Sequence, residues 1–237
     1  MDVYGARPGH HAARAAAATA LVVALIVLTA SRADNGRGAV DTAAAPAATV
    51  DAAVFNGLEP GARGKQTHDG GVLVLGDSLT VGADEHGLSK LLKTDGWRPQ
   101  IVAETGRSTR GGILALQQDV TSVPSLVIVE LGTNPSSAVG TFAAEVDTMV
   151  DQLHTRGATR IVWVTPVYVD DDRYDDKVAI LFAKSAADHS VVVADWRSIA
   201  WAHKAWFRSD GLHYVDAGWV GLAQFMTDAA DANDPAG

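Results

Sequence analysis

The sequence contains no cysteine among its 237 residues. A disulfide framework is therefore excluded, and so is a lipid anchor attached to a cysteine thiol. The signatures G-x-x-x-x-G-K-[S/T] and G-x-G-x-x-G are also absent, so the chain lacks the usual phosphate-binding loops of nucleotide-binding proteins. Basic residues are outnumbered, with 19 Lys and Arg against 28 Asp and Glu and a formal net charge of −9. Because an acidic surface repels a phosphate backbone, we expect no nucleic acid partner.

The chain has one long hydrophobic run, and it is short for a membrane span. Residues 15–30 are uncharged, follow Arg7 and Arg14, and are followed by a small-x-small sequence at 31–33. Sixteen helical residues extend for about 24 Å, whereas a bilayer core is about 30 Å thick. Residues 1–33 are therefore predicted to be a secretory signal peptide, with a retained membrane anchor through the hydrophobic run as the alternative. Either one predicts a secreted or cell-envelope protein outside the cytoplasm.

Residues 34–70 are predicted to be a flexible linker. They are rich in Ala, Gly, Asp and Pro and have few large apolar side chains, so they cannot bury enough surface to order themselves firmly. The stretch AAVFNGLEP at 52–60 could instead pack on the following domain as an N-terminal strap. The remaining residues, 71–232, are predicted to form one catalytic domain.

The domain alternates between apolar runs and segments with helical spacing. The apolar runs are VLVL (72–75), QIVAE (100–104), LVIVEL (126–131), RIVWVTPV (160–167) and VVVAD (191–195). Continuous apolarity predicts strands that are covered on both faces. Helices are predicted over 140–157, ending near Gly157, and over 216–230, with Asp216 as the N-terminal cap. This alternation predicts an α/β fold in which a parallel sheet lies between two layers of helices.

Polar residues follow several of these runs, where the strands of a parallel sheet place their ligand-binding loops. Gly76-Asp77-Ser78 follows the first run, residues 105–108 follow the second, and Gly132-Thr133-Asn134 follows the third. The segment DGLHY at 210–214 comes after the fifth run and can reach the same edge. The topology therefore predicts that a hydroxyl, backbone amides, a carboxamide and an imidazole come together.

This set of groups suits acyl transfer to a serine. Ser78 needs a base to take its proton, and His213 is the candidate because the ordinary pKa of histidine lies near working pH. Asp210 is placed to orient the imidazole. The N–H groups of Ser78 and Gly106 and the side-chain amide of Asn134 are candidate donors to a tetrahedral oxyanion, each lowering the barrier by roughly 3 kcal/mol.

From Val72 to about Ala230 the sequence resembles the SGNH (GDSL) hydrolases. The resemblance rests on GDSL at 76–79, the glycine after the second strand, GTN at 132–134 and DGLH at 210–213. It implies a flavodoxin-like sheet of five parallel strands and cleavage or transfer of ester-linked acyl groups, with no metal and no cofactor. The residues implied are listed by role: Ser78, His213 and Asp210 as the catalytic triad; Ser78, Gly106 and Asn134 as the oxyanion hole. The chain departs from many members in having Pro135, where they have aspartate.

Three functions fit these observations. The first is an exported serine esterase that hydrolyses acyl esters, with short-chain or acetyl groups expected, on a small-molecule or glycan-linked substrate. The second is an O-acyltransferase that uses the same chemistry on a cell-envelope polysaccharide. The third is a glycan-binding module without turnover, against which the intact set of Ser78, Asp210 and His213 argues. The absence of a G-x-S-x-G sequence counts against an α/β-hydrolase nucleophile elbow.

Each of these residues also has a purely structural interpretation. Ser78 could be a helix cap, Asn134 a turn former before Pro135, and His213 a surface histidine. The acidic residues of segment 170–176 could bind calcium, but they lack EF-hand spacing and suit a solvated loop and helix start better. Three tryptophans could belong to the core or line an acyl pocket: Trp196, Trp201 and Trp206. Arg107 and Arg110 could be solvated residues at a helix start or contacts for an anionic substrate.

Overall fold

The computed structural model describes residues 49–50, 70–135, 139–170 and 172–236. The predicted signal segment, residues 1–33, lies outside the described residues. So does the predicted linker, 34–70, apart from residues 49, 50 and 70. In the part of the chain that is described, no helix combines the length and the apolarity needed to cross a membrane.

The described residues form a parallel sheet with helices on both faces, which confirms the predicted α/β fold. The strands are β1 (Thr49–Val50), β2 (Gly71–Gly76), β3 (Arg98–Ala103), β4 (Leu126–Glu130), β5 (Arg160–Val164) and β6 (Val191–Ala194). Their order across the sheet is β1-β6-β5-β4-β2-β3, and every neighbouring pair is parallel. Strands β2 to β6 are the five that the apolar runs predicted. The two-residue β1 adds a short edge strand beside β6, within the range that the sequence predicted to be linker.

The helices are α1 (Ser78–Glu85), α2 (Leu88–Thr94), α3 (Thr109–Gln118), α4 (Val139–Thr155), α5 (Asp175–Ala187), α6 (Trp196–Ala202) and α7 (Asp216–Ala232). A 3-10 turn, Lys204–Trp206, follows α6. Helices α1, α2, α6 and α7 cover one face of the sheet, and α3, α4 and α5 cover the other. Alternate residues of β2 point into the two cores, Val72 and Val74 into the first and Leu73 and Leu75 into the second. Strands β2, β4, β5 and β6 are therefore buried on both faces, as the continuous apolar runs predicted, whereas the edge strand β3 is only partly buried.

The chain reverses its direction of travel across the sheet at β2, which lies between β3 and β4. Gly76, the last residue of β2, is in register with Ala103 of β3 and with Glu130 of β4. The loops that leave these three strands therefore begin at the same level. In open α/β sheets this reversal opens a crevice at the carboxyl ends of the strands, where ligands bind.

Two predicted helix ends can be compared with the structure. Helix α4 ends at Thr155, and Gly157 follows with a φ of +110°, a left-handed conformation that favours glycine and ends the helix as predicted. The prediction that Asp216 caps α7 is wrong, because the N-cap is Val215. Asp216 lies in the first turn instead, where the helix dipole stabilises its negative charge. Its Oδ1 lies 3.6 Å from Nε2 of His86.

Candidate active site

The turn after β2 places Ser78 at the first position of α1. Asp77 is the N-cap of this helix, because its Oδ1 accepts the backbone N–H of Leu79 at 2.9 Å. The interpretation of Ser78 as the helix cap is therefore wrong. Gly76 is required here by close approach, since a Cβ at this residue would lie 1.9 Å from Oγ1 of Thr80. The hydroxyl of Ser78 is left available for a partner outside the turn.

That partner is His213, and the three predicted triad residues form one continuous relay. Oγ of Ser78 lies 3.2 Å from Nε2 of His213, and Nδ1 of His213 lies 2.9 Å from Oδ2 of Asp210. The relay joins the start of α1 to the loop before α7, across 135 residues of sequence. Ser78 and His213 are partly buried and Asp210 is half exposed, so the hydroxyl lies in reach of a dissolved substrate.

The DGLH loop holds the Asp210 carboxylate in place. Its Oδ1 accepts the backbone N–H groups of Leu212 and His213, each at 2.9 Å, and Gly211 between them has a φ of +72°. Burial on its own raises the pKa of Asp210, but these two N–H groups and the His213 ring lower it below its ordinary value. An ionised Asp210 favours a proton on Nδ1 of His213, which leaves Nε2 free to accept the Ser78 proton.

The loop is also fixed from the outside by Tyr168, which follows β5. Its hydroxyl donates to the backbone carbonyl of Asp210 at 2.6 Å, and its ring packs against Gly211. The backbone N–H of Val169 donates to the carbonyl of Gly211 at 2.9 Å. Two neighbouring residues therefore clamp the turn that carries the acid and the base.

Asn134 lies at the same edge of the sheet and is hydrogen-bonded to Asp77, in the turn that precedes Ser78. Its Nδ2 donates to Oδ2 of Asp77 at 2.9 Å and to the backbone carbonyl of Arg107 at 3.2 Å. An amide has two hydrogens, so donation to an oxyanion requires one of these bonds to be given up. The bond to Arg107 is the longer and therefore the weaker of the two. Gly106, the other predicted donor, is an exposed residue of the adjoining turn with a φ of +79°.

Arg107 is neither a solvated residue nor a contact for an anionic substrate. Its side chain is only 7% exposed, and its guanidinium donates to the carbonyls of Val102 at 2.7 Å and Gly76 at 3.4 Å and to Glu104 at 3.1 Å. The side chain therefore ties the Gly106 loop to the ends of β2 and β3. Arg110, in contrast, is exposed on the first turn of α3.

The loop of residues 132–134 is held from its other side by α5 and by Tyr174, the N-cap of that helix. The hydroxyl of Tyr174 donates to the carbonyl of Thr133 at 2.7 Å, and Nζ of Lys177 donates to the carbonyl of Gly132. Burial lowers the pKa of Lys177, and the charge of Glu145 opposes this change. The sequence alone does not mark either residue, because their partners are backbone atoms and the contact depends on how α5 packs.

A pair of buried carboxyl groups lies directly beneath the nucleophile turn. Asp77 and Glu130 are 0% and 2% exposed, and their side chains are in hydrogen-bonding contact. Burial and the charge of Asp77 raise the pKa of Glu130 well above its ordinary value. The sequence carries one signal of this group, since Glu130 is the only charged residue in the run LVIVEL.

The tryptophans named from the sequence differ in their surroundings. Trp196 is a core residue, stacked on Trp206 with ring centroids 5.8 Å apart, and its Nε1 donates to the hydroxyl of Tyr214 at 2.8 Å. Trp201 is 37% exposed and donates to the carbonyl of Tyr168. The tryptophan that contacts the triad is Trp219, whose ring centroid lies 6.4 Å from that of His213. In the sequence, Trp219 is marked only as part of the last predicted helix.

The acidic segment 170–176 contributes to a helix start. Asp175 and Asp176 lie in the first turn of α5, as the solvated helix-start interpretation expected. Across the residues that the structure describes, no three His, Asp or Glu side chains are grouped so that they could hold a metal ion.

Comparison with known proteins relates the chain to one family. Residues 74–218, more than half of the chain, match the model of the GDSL-like lipase/acylhydrolase family. The matched range includes Ser78, Gly106, Asn134, Asp210 and His213. No protein with a curated description matches the chain in sequence.

Several solved structures share the fold. TesA superposes with a TM-score of 0.58 at 18% identity, over 68% of this chain and 98% of its own. The psychrotrophic esterase EstA from Pseudoalteromonas, in a structure inhibited by monoethylphosphonate, has a TM-score of 0.55 at 17% identity, over 68% and 97%. An acetyl esterase mutant with acetate ion has a TM-score of 0.52 at 15% identity, over 68% and 96%. At these identities the likeness is one of fold.

Proposed function

The chain belongs to the GDSL-like lipase/acylhydrolase family and is a carboxylic ester hydrolase, and from this premise we propose that it cleaves short-chain acyl esters through an acyl-enzyme on Ser78. The observation that carries the proposal is the relay in which Ser78 contacts Nε2 of His213 at 3.2 Å while Asp210 holds Nδ1 at 2.9 Å. A nucleophile, a base and an orienting acid in this arrangement are what acyl transfer to serine requires.

In the first half-reaction, Nε2 of His213 takes the hydroxyl proton of Ser78 as Oγ attacks the carbonyl carbon of the ester. The carbonyl oxygen becomes an oxyanion, which accepts hydrogen bonds from the N–H groups of Ser78 and Gly106 and from Nδ2 of Asn134. The tetrahedral intermediate then collapses. The bond to the leaving alkoxide breaks, and His213 gives it the proton, so that an alcohol departs and the acyl group stays on Ser78.

In the second half-reaction, water replaces the alcohol. His213 takes a proton from water, the resulting nucleophile attacks the acyl carbon, and the same donors bind the second oxyanion. Collapse returns the proton from His213 to Oγ of Ser78 and releases the carboxylic acid. Asp210 stabilises the imidazolium in both halves and remains ionised, because its N–H donors keep its pKa low.

The surroundings of Ser78 support a short acyl group. The proposed oxyanion donor Gly106 is exposed, and so are the two polar residues before it, Glu104 and Thr105. A long alkyl chain needs apolar cover to gain about 0.8 kcal/mol per methylene, and this flank does not offer it. The acetyl esterase among the structures of the same fold is consistent with a two-carbon group.

We expect kcat/KM for p-nitrophenyl decanoate to be no higher than for p-nitrophenyl acetate, because methylenes that remain in water add no binding energy. The measurement is a chain-length series at fixed pH, repeated with an added sugar acceptor and with the products separated. Free acetate as the main product supports hydrolysis. A preference for decanoate contradicts the short-chain proposal, and acetylated sugar as the main product identifies an acyltransferase.

Replacing Asn134 by alanine is expected to lower kcat by about 10²- to 10³-fold and to change KM little, because an oxyanion donor acts mainly in the transition state. Steady-state kinetics with p-nitrophenyl acetate measures both values. The matched control is Asn233→Ala, which removes an amide that bonds a carbonyl at the end of α7. Equal kcat in the two variants would remove Asn134 from the oxyanion hole.

A further inference from the structure

The carboxyl groups of Asp77 and Glu130 form a buried pair beneath Ser78, and neither takes part in the proton transfers of the proposed mechanism. Asp77 accepts three hydrogen bonds, from the N–H of Leu79 at 2.9 Å, from Oγ1 of Thr133 at 2.8 Å and from Nδ2 of Asn134 at 2.9 Å. It therefore joins the start of α1 to the loop after β4. Glu130 accepts a hydrogen bond from Oγ1 of Thr80 at 3.0 Å and contacts Asp77.

Two negative charges on this pair are strongly disfavoured. Both groups are removed from water, and two carboxylates in contact repel strongly in a low dielectric. Asp77 has the larger set of donors, so the charge is more stable there, and the proton stays on Glu130. Burial first, and the Asp77 charge second, raise the pKa of Glu130 well above its ordinary value. A protonated carboxyl is a donor, so Glu130 supplies Asp77 with a fourth hydrogen bond.

We propose that Glu130 is a positioning residue of this active site, which donates a hydrogen bond to Asp77 and thereby fixes Asp77 between Ser78 and Asn134. The inference rests on the proposed function, because it assigns Glu130 a part in the same ester hydrolysis. Asp77 is adjacent to Ser78 in sequence, and it accepts a hydrogen bond from the side-chain amide of Asn134. A change in its position moves Ser78 and Asn134 relative to each other, and misplacement by about 1 Å costs on the order of 10²-fold in rate.

None of the other ionisable groups named around the pair supplies Asp77 with the hydrogen bond that Glu130 donates. Tyr214, from the segment before α7, is fully buried, and burial raises its pKa so that its phenol stays neutral. Its hydroxyl accepts the Nε1–H of Trp196. His213 bonds Ser78 and Asp210, and the Arg107 guanidinium donates to Gly76, Val102 and Glu104. The proton on Glu130 is therefore the one whose loss places a second negative charge beside Asp77.

The test compares three variants in the full chain. Glu130→Leu keeps the apolar bulk but removes the donor, and we expect kcat to fall about 10- to 100-fold with KM within about twofold. Glu130→Gln keeps a donor for Asp77 and an acceptor for Thr80, so kcat is expected to stay within about threefold. Thr80→Val is the matched control, because it removes the hydrogen bond from Thr80 to Glu130 and leaves the contacts with Asp77; kcat is again expected within about threefold. Circular dichroism and Tm confirm folding.

A pH series separates positioning from mere packing. A pKa that is raised on folding means that the native state binds the proton more tightly, so stability is lost as pH rises from the ordinary value of 4.5 toward the raised value. Glu130→Gln has no such proton to lose. We therefore expect the Tm of Glu130→Gln to rise relative to wild type as pH increases above 4.5. We also expect wild-type kcat to fall as pH rises through the raised pKa of Glu130, whereas that of Glu130→Gln does not.

The outcomes are distinguishable. An absence of ester turnover in the wild type overturns the proposed function, and this inference falls with it. If the wild type is active, the inference alone is overturned when Glu130→Leu keeps the wild-type kcat or when Glu130→Gln loses as much as Glu130→Leu. If Glu130→Leu does not fold, the pH dependence of Glu130→Gln decides: parallel Tm and kcat profiles for this variant and the wild type overturn the inference, and diverging profiles support it.

Discussion

Replacing Ser78 by alanine is expected to lower kcat for ester hydrolysis by about 10⁴- to 10⁶-fold, because the acyl-enzyme cannot form without Oγ. The residual rate over water comes from the oxyanion donors and from substrate binding, since the backbone N–H of residue 78 is unchanged. The fold should be unaffected, because the helix cap is the side chain of Asp77 and not the serine hydroxyl. Turnover of p-nitrophenyl acetate measures the first effect, and Tm measures the second.

The matched control is Ser89→Ala on α2, where the hydroxyl bonds the carboxylate of Asp84. This variant removes a serine hydroxyl from the same face of the sheet and should keep wild-type turnover. Activity in Ser78→Ala within tenfold of the wild type would contradict the acyl-enzyme mechanism. A large drop in the Tm of Ser78→Ala would instead show that the hydroxyl has a structural role.

Replacing His213 by alanine is expected to have an effect of similar size, about 10⁴-fold or more in kcat. Ser78 then has no base within hydrogen-bonding distance, and the leaving alcohol has no acid. Because nucleophile and base act as one unit, the double variant Ser78→Ala/His213→Ala should be no slower than either single variant. Steady-state kinetics of the three variants forms a complete cycle.

His86→Ala is the control for this cycle. The two imidazoles contact the same indole, since the ring of His86 lies 6.1 Å from that of Trp219 and the ring of His213 lies 6.4 Å from it. Loss of packing on Trp219 is therefore common to both variants, whereas loss of the base is not. We expect His86→Ala to keep kcat within about twofold. Equal losses in the two variants would assign the effect to Trp219 packing.

The sequence predicted most of the fold because four of its five predicted strands, β2, β4, β5 and β6, are buried on both faces. The run VLVL at 72–75 is continuously apolar, with no alternation of apolar and polar residues, which is typical of a strand covered on both faces. All four of its side chains are fully buried. The order of the strands places the loops after β2, β3 and β4 at one edge, so the grouping of Ser78, Gly106 and Asn134 follows from topology. The short strand β1 could not be predicted, because two residues carry no periodicity.

The details of the candidate site that sequence reasoning missed depend on long-range packing. Arg107 follows a glycine at a loop, which suggested an exposed cation, but the ends of β2 and β3 present carbonyls that only a folded sheet brings to it. Asp77 was seen as part of a turn, while its second oxygen bonds Thr133 and Asn134, more than 50 residues away. The Glu130 carboxyl is hidden for the same reason, because a single charged residue at the end of an apolar run also suits a strand that ends at the surface.

The position of the site also explains why four short sequence blocks can carry one activity. In the proposed mechanism, the turn after β2 supplies the nucleophile, the loop after β3 supplies a backbone donor, and the loop after β4 supplies the amide. The segment before α7 supplies the proposed base, and the Tyr168 hydroxyl bonds the backbone of this segment at Asp210. Ser78, His213 and Asp210 are already in contact before substrate arrives, as electrostatic preorganisation requires, whereas Asn134 must release one hydrogen bond to donate to the oxyanion.

The central claim is that Ser78 is the nucleophile, and covalent labelling tests it most directly. A fluorophosphonate probe phosphonylates an activated serine, and mass spectrometry of the digested protein locates the modified residue. We expect a single label on Ser78, lost in Ser78→Ala and greatly slowed in His213→Ala. A label on another residue, or equal labelling of wild type and Ser78→Ala, would contradict the account.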